Sequence, residues 1–566
     1  MAARKRRAPR WISEYRVEIF FLVLALLPAF YIAFGNPNTI LDWYSSDDGF
    51  YYFQMARNLA AGQGFTFDGL NPTNGFHPLW LFLITPLFLF AQFDPLLSLR
   101  LLLVVCALLS AGTAILLYLL LRRYASAWVA AFVGLLWIVV PRIHDLTLHT
   151  GTEAGLNALC ILLFWYFLVA FAPSKDGRDT LRRLAWLGLL GSLAILARLD
   201  NVFIVGFGGL WLWLRLWQTT KKKNAWPWRF NIALALFGPI AIVMLVYLAW
   251  NLLAFGTATP VSGQAKLWWG TLRNTVYGFP VNGVVDFAGQ FVTDHPELGP
   301  WSLATAPLYA GAEWLLAAAG QSISVGTRRV VLLVIGGLLS VLGGALIWAQ
   351  RIFLASSARG LGLLAFFLGC FAQVVYYKVS GSVAQQPWYW IAEMIFLLIL
   401  LGLLLEALRR VVVGALPRSE SAGAAVALIV VAVLSFIFLA FIQSAVRVPG
   451  DGSNSYYIHR ARWLEANTEE GARVAITGAG NLAYFSRGRI IVNMDGLMNT
   501  VDYLEAMKAG AGAEYLADLG VNYIFGNEYI LTETNPYAPM LAGHLEPYAL
   551  YTFGEDRQLP LWRFVP

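Results

Sequence analysis

Charge is scarce in this chain of 566 residues. Asp, Glu, Lys and Arg make up only 13% of it, about half of the roughly 25% usual in a soluble domain. With 58% hydrophobic residues besides, a soluble enzyme is excluded. Cysteine is nearly absent: Cys106, Cys160 and Cys370 each sit inside an apolar run, which argues against a disulfide framework or a zinc cluster. The sequence has no GxxxxGK[ST] phosphate loop, no internal repeat and no inverted-repeat pair. No small-residue cleavage site follows the basic start Arg4, Lys5, Arg6, Arg7 and Arg10, so the apolar stretch behind it reads as a retained anchor.

What is present in abundance is apolar sequence. Runs long enough to cross a bilayer fall near 17–34, 96–121, 127–141, 154–172, 184–197, 202–217, 231–254, 330–349, 360–378, 388–407 and 423–445, eleven in all. A twelfth, 77–93, is interrupted by Pro78 and Pro86. The bias of basic residues toward cytoplasmic loops places Lys221, Lys222 and Lys223 inside. Counting outward puts the N-terminus, Arg122-Arg123, the stretch from Lys175 to Arg183, Arg351 with Arg359, and Arg409, Arg410 and Arg418 on the same side. That parity requires 77–93 to lie on the outer side as a re-entrant or surface helix. If 77–93 crosses instead, Arg122-Arg123 or the N-terminus moves outside.

The expected fold class is a polytopic α-helical membrane protein with about eleven spans and a small extracytoplasmic α/β domain at its C-terminus. The membrane module covers 1–445, with bulky outer segments at 35–95 and 255–329, and the α/β domain covers 446–566. Strands are expected at 473–477, 489–492 and 521–525, and helices near 456–466 and 502–518. The net charge of +7 then divides unevenly: cytoplasmic segments carry 22 basic against 6 acidic residues, the outer side 18 against 27. The basic excess thus faces anionic lipid rather than nucleic acid, and all six histidines lie outside. No cytoplasmic segment is long enough to fold as a nucleotide-binding domain. Chemistry, if any, is therefore expected on the outer face, with lipid-borne or exported substrates.

Six polar clusters lie on that face. Asp47-Asp48 starts an amphipathic helix that includes Tyr51; it reads either as helix-capping charge or as a surface-held base. Asn71 to Pro78 is turn chemistry with His77 at the mouth of the 77–93 segment, or loop packing. Arg142, His144, Asp145, His149 and Glu153 precede a span, Glu153 being a helix cap or a site residue; a histidine pair five apart is weak as a metal site. Arg198 and Asp200 occupy a short turn, where charges are paired or functional. Lys266 reads as a phosphate-binding cation or an interfacial lysine. Gln385 leads into Trp388-Tyr389-Trp390, an interfacial aromatic belt or a sugar platform. In the tail, Gly478-Ala479-Gly480-Asn481 is a glycine-rich strand-to-helix turn without the full GxGxxG pattern.

Taken together, Asp47-Asp48-Gly49-Phe50 with Ala56-Arg57-Asn58-Leu59-Ala60 and Gly62-Gln63-Gly64, then Thr150-Gly151-Thr152-Glu153-Ala154, Ala197-Arg198-Leu199-Asp200 and Asp495-Gly496-Leu497 resemble the GT-C superfamily of polytopic glycosyltransferases. The branch most resembled includes arabinofuranosyltransferase-like and protein-mannosyltransferase-like enzymes. Where that family usually carries a Leu-Pro-Asn-Thr-like stretch, this chain has Ala258-Thr259-Pro260-Val261-Ser262. The resemblance implies a polyprenyl-phosphate-linked sugar donor, transfer on the extracytoplasmic face to a glycan, lipid or protein acceptor, and an aspartate base at Asp47 supported by Asp48. It requires no cofactor and permits a divalent metal. Candidate groups for the donor and its phosphate are Arg198, Lys266, Arg142 and His149, with Glu153, Asp200, His77, Tyr51 and Gln385 around them. Competing classes are a transporter or lipid-linked glycan flippase, which needs ionisable groups near mid-membrane, and a receptor whose tail binds ligand.

Overall fold

The computed structural model describes residues 15–35, 39–40, 43–44, 46–219, 225–292, 299–318, 325–415, 420–446, 456–553 and 557–566. The basic residues at 4–10 and 221–223, together with Arg418, lie outside these. The described chain is a helical bundle with one five-stranded sheet near its C-terminus.

Helix starts follow local chemistry. Proline opens the helices Pro78–Phe88 and Pro95–Leu121, where its missing N–H costs nothing. The Asp94 side chain caps the second by accepting from Leu96 N. Asp47–Ala60 has two aspartates in its first turn and Arg57 in its last, matching the helix dipole at both ends.

Among the described residues six helices are long and apolar enough to cross a bilayer: Arg16–Phe34, Pro95–Leu121, Gly177–Ala197, Leu199–Gln218, Trp226–Phe255 and Pro387–Ala415. Two bent pairs, Ala127–Val139 with Pro141–His149 and Val334–Ala349 with Arg351–Leu361, raise the number to eight. Two of the other runs expected to span are shorter apolar helices, Ala154–Ala170 and Leu363–Val379, and the last lies in the 27-residue helix Glu420–Val446. A 17-residue helix rises about 25 Å, somewhat less than a hydrocarbon core of about 30 Å. Glu153, just before the first short helix, and Tyr376 and Tyr377, at the end of the second, line one cavity.

The 77–93 segment forms the helix Pro78–Phe88 and a 3-10 turn, Leu89–Gln92. Both of its ends meet the helix Asp47–Ala60. The His77 amide points at the Tyr52 hydroxyl, and Gln92 Nε2 donates to the carbonyl of Ala60.

Several basic segments gather at the opposite end. Glu406, buried, accepts from Arg409, Arg410 and the amide of Ser126, and Arg410 lies over the Phe353 ring at 3.9 Å. This brings the loop after Arg122-Arg123 together with 351–361 and 406–410.

The sheet has the order β2-β1-β3-β5-β4. Its strands are β1 (Arg473–Ile476), β2 (Ile490–Asn493), β3 (Tyr523–Phe525), β4 (Leu545–Phe553) and β5 (Arg557–Phe564). The first three are parallel and β5 is antiparallel to both its neighbours. The 502–518 stretch breaks into Val501–Ala509 and Gly512–Asp518 at Gly510, which adopts positive φ. The β4–β5 hairpin has no counterpart among the expected strands, since Pro547 and Pro560 disguise it.

Alternation along the parallel strands gives the sheet two buried faces. Val474, Ile476, Ile491 and Phe525 join the large core that runs through the helical bundle. Ala475, Val492 and Ile524 join a second core that also contains Val261, Ala265, Trp269 and Val383 from the membrane module. The C-terminal unit thus shares both of its cores with the helices.

Candidate active site

A cavity of about 470 Å³ opens where the outer helix Asp47–Ala60, the start of Ala154–Ala170, the 198–200 turn, the helix Val261–Trp269 and the 376–389 segment converge. Seven of the eleven residues singled out from sequence line it: Asp48, Tyr51, His77, Glu153, Arg198, Asp200 and Lys266. Leu497 and Met498 of the C-terminal unit close one wall.

One half of the cavity is a closed ionic network. Arg198 is only 2% exposed. Its Nη1 donates to Glu153 Oε1 at 2.5 Å, Nε and Nη2 fork onto the Asp200 carboxylate at 3.1 and 2.9 Å, and Nη2 also reaches Tyr377 OH at 3.1 Å. Tyr377 OH and Gln373 Nε2 donate to Asp200 Oδ2 at 2.8 and 3.1 Å. The guanidinium sits 4.2 Å from the centre of the Tyr389 ring, close enough for cation–π attraction. Glu153 occupies the cap position of its helix but makes no capping bond; its carboxylate serves Arg198 and lies 3.7 Å from His77 Nε2. Burial holds the His77 imidazole below its usual pKa despite the nearby Glu153.

The other half is less saturated. Lys266 Nζ donates to the carbonyl of Ala384 at 3.1 Å and to Tyr389 OH at 2.6 Å. An ammonium has three donors, and among the described residues the third is not taken up. Burial opposes its charge, but Tyr389 and Asp48 outweigh burial and hold the Lys266 pKa above its ordinary value. Among the described residues none donates to the Asp48 carboxylate. Burial pushes Asp48 up to about 6; Lys266 opposes that rise, while Asp47, Asp495 and Glu153 add to it.

Asp47 is arranged differently, although it adjoins Asp48 in sequence. Its carboxylate does not line the cavity. It accepts from Gly480 N at 3.0 Å, from Asn481 N at 2.8 Å and from Asn481 Nδ2. A side chain at position 480 would run into the backbone oxygen of Asp47, so the glycine of the Gly478-Ala479-Gly480 turn is what permits this approach. Tyr51, which lines the cavity, donates its hydroxyl proton to Asp495 Oδ2 at 2.9 Å.

Three sequence candidates lie elsewhere. Arg142 and His149 flank Asp145, at 3.8 and 2.9 Å, and the His149 ring packs edge-on against Trp43; neither lines the cavity. Gln385 donates to the carbonyls of Tyr377 and Ser382 and so shapes the loop behind the site. Conversely, Gln373 and Tyr377 were not singled out, while Tyr389 entered only through the aromatic run 388–390. Gln373 and Tyr377 stand four apart inside an apolar run, on one helix face. A polar pair so placed within a membrane helix is the signal that would have found them. Among the described residues no group of three His, Cys, Asp or Glu side chains is placed to hold a metal ion.

A family model described as a domain of unknown function (DUF8728) matches residues 448–559. A comparison with curated proteins finds no matching relative. Among solved structures, the chain is similar to ArnT from Cupriavidus metallidurans bound to undecaprenyl phosphate, with 14% identity, 97% of this chain and 98% of that one covered, and a TM-score of 0.54. It is also similar to the Archaeoglobus fulgidus oligosaccharyltransferase in the apo form, with 15% identity, 96% and 75% covered, and a TM-score of 0.52. A complex of that oligosaccharyltransferase with Zn and sulfate gives 13% identity, 94% and 72% covered, and a TM-score of 0.50. The likeness establishes the fold that the chain shares with these structures: a multi-pass membrane bundle of helices carrying a small C-terminal sheet domain.

Proposed function

We propose that this chain is a membrane glycosyltransferase that moves a sugar from a polyprenyl-phosphate donor to an acceptor hydroxyl, with inversion. The observation that carries the reading is the pairing of Asp48, whose carboxylate takes no hydrogen bond among the described residues, with the ammonium of Lys266 across one cavity. A carboxyl pushed up to about 6 is a competent base near neutral pH. The ArnT structure bound to undecaprenyl phosphate supports a lipid-phosphate donor, and the oligosaccharyltransferase likeness supports transfer to a glycan, lipid or protein acceptor.

In this reading the base is Asp48, and Asp47, the base implied by the sequence resemblance, positions it. Asp47 already accepts three hydrogen bonds from the tail and faces away from the cavity. Asp48 takes the proton of the acceptor hydroxyl. The acceptor oxygen forms a bond to the anomeric carbon, the bond from that carbon to the phosphate oxygen breaks, and its electron pair leaves with the polyprenyl phosphate. Lys266, with one donor to spare, stabilises the charge that develops on the leaving phosphate. Arg198 is committed to Glu153 and Asp200 and keeps those carboxylates in place. The aromatic wall of Tyr52, Tyr377 and Tyr389 offers flat faces to a sugar. A divalent ion is compatible with this chemistry and is not required by it.

The same proposal sets the orientation: N-terminus and basic loops in the cytoplasm, cavity and C-terminal unit outside the plasma membrane. It also retains the arabinofuranosyltransferase-like or protein-mannosyltransferase-like branch, on the strength of Asp47-Asp48-Gly49 and Asp495-Gly496-Leu497. The test is to incubate the purified, reconstituted protein with radiolabelled polyprenyl-phosphate sugars. Acceptor-dependent release of free lipid phosphate is expected. Movement of intact lipid-linked sugar across the vesicle bilayer without release would favour a flippase instead.

A further inference from the structure

The contacts that hold the cavity walls do not come from the membrane module alone. Asp48 lies between two gripped neighbours, Asp47 and Tyr51. Asp47 is held by the turn at 480–481. The Tyr51 hydroxyl donates to Asp495 and accepts from Asn493 Nδ2 at 3.2 Å and from Ala479 N at 3.3 Å. Further along the same helix, Arg57 donates to the carbonyls of Tyr484 and Ala483 at 2.8 and 3.3 Å. One face of the 47–60 helix is therefore bound to the tail along its length.

The opposite wall, Val261–Trp269, is held by the same unit through different physics. Val261, Ala265 and Trp269 pack into one apolar core with Met494, Tyr503, Met507 and Tyr537. Trp269 stacks on Tyr277 at 3.5 Å, and the Tyr277 hydroxyl bonds that of Tyr537. Asn535 Nδ2 donates to the carbonyl of Arg273 at 2.6 Å, and Asn274 Nδ2 to that of Glu533 at 2.7 Å.

Asp495 joins the two sets. Besides the Tyr51 proton, its carboxylate accepts from Gly478 N at 3.2 Å and Leu497 N at 2.9 Å. It thereby fixes the loop whose Leu497 and Met498 line the cavity. That loop passes so close to Gly75 that any side chain there would meet the Leu497 carbonyl.

We propose that the C-terminal unit, which a family model describes as a domain of unknown function, is a clamp that sets the spacing of the Asp48 and Lys266 walls, with Asp495 its positioning residue. This deepens the transferase reading and rests on it for its catalytic consequence. Asp48 is faced by Asp47 on its own helix, by Lys266 from the 261–269 helix, by Glu153 from the start of the 154–170 helix and by Asp495 from the tail. Removing the Asp495 charge takes away one of the three acids that hold Asp48 up.

The test uses the full-length protein in nanodiscs, with Asp495→Ala, Asp495→Asn and, should the alanine variant not fold, Asn481→Ala. Hydrogen exchange read by mass spectrometry should quicken about tenfold in both 47–60 and 261–269, two helices some two hundred residues apart in sequence. Quickening confined to 476–500, with both helices unchanged, overturns the clamp whatever the protein catalyses. In sugar transfer, Asp495→Ala should lower kcat about tenfold or more with donor KM within about twofold. Asp495→Asn should recover part of that loss and move the acid limb of the pH profile to lower pH. Parental kcat and an unmoved profile in both Asp495 variants overturn the positioning role. If the parental protein itself transfers no sugar, the functional reading fails, and the exchange data still decide the clamp.

Discussion

Two charged clusters share one cavity and are built on opposite principles. Around Arg198, five donor contacts reach two carboxylates and a tyrosine, and the group is buried from solvent. Around Asp48 the carboxylate takes no hydrogen bond among the described residues, and its opposing Lys266 keeps a donor in hand. A saturated buried network resists change because each member's partner would be left as an uncompensated charge. A carboxylate without hydrogen bonds beside an ammonium with a donor to spare has bonding capacity left for a ligand. On the proposed function, the first cluster is architecture and the second is where the reaction takes place.

The sharpest break of that contrast is Asp48→Asn against Asp47→Asn. The Asp48 variant keeps the fold and should lose about a hundred- to ten-thousand-fold in transfer rate. Asp47→Asn should lose less, because it weakens an anchor rather than removing the proton acceptor. Single-turnover rates on reconstituted protein measure both, and the reverse order would return the base to Asp47. The next effect is structural. Arg198→Met leaves Glu153 and Asp200 buried without their cation and should cost about 3–5 kcal/mol of stability, seen as a large drop in melting temperature or in folded yield, whereas Lys266→Met should fold normally and lose activity. The smallest effect is a shift along the pH axis. Because Asp48 acts as a base and is pushed up to about 6, transfer should fall as pH drops through about 6. Lys266 favours the charged carboxylate, so Lys266→Met should raise the Asp48 pKa and move that limb to higher pH. A rate profile that is flat between pH 5 and 7 would remove Asp48 from the rate equation.

Much of the architecture was legible because a bilayer imposes a coarse and forgiving code. Long apolar runs need only be long and apolar, and each of the eleven runs corresponds to a helix or to part of a bent pair. The count of full spans was less legible. Ala154–Ala170 and Leu363–Val379 form helices of 17 residues, each a little shorter than the apolar run that predicts it, because hydropathy marks a run and not the turns that end a helix. The two bent pairs, at 56° and 88°, were likewise read as simple runs, since a bend leaves composition unchanged. Six of the cavity's polar residues were visible as charge or histidine in places where such groups are costly, and Tyr51 through its place on the Asp47-Asp48 helix. Tyr377 of its aromatic wall was not, since tyrosine near a membrane surface is ordinary.

Arg142 and His149 show the opposite failure. Their residue types suit a phosphate, but the π-helical turn Asp145–His149 joins His149 to Asp145 and places both outside the cavity. Which neighbours a side chain meets across the bundle is not written in its spacing along the chain.

The sequence by itself determined a polytopic helical bundle, a C-terminal unit with alternating strands, and a pair of adjacent aspartates at the start of a short amphipathic helix. Those properties follow from hydrophobic length, loop charge and local periodicity, all of which are local in sequence. Only the tertiary structure separated Asp47 from Asp48. Successive helical residues point about 100° apart, so one carboxylate meets the amides of a turn more than four hundred residues away while its neighbour turns toward the cavity. What each aspartate can do is decided by the hydrogen bonds it finds there, and those are supplied by long-range packing.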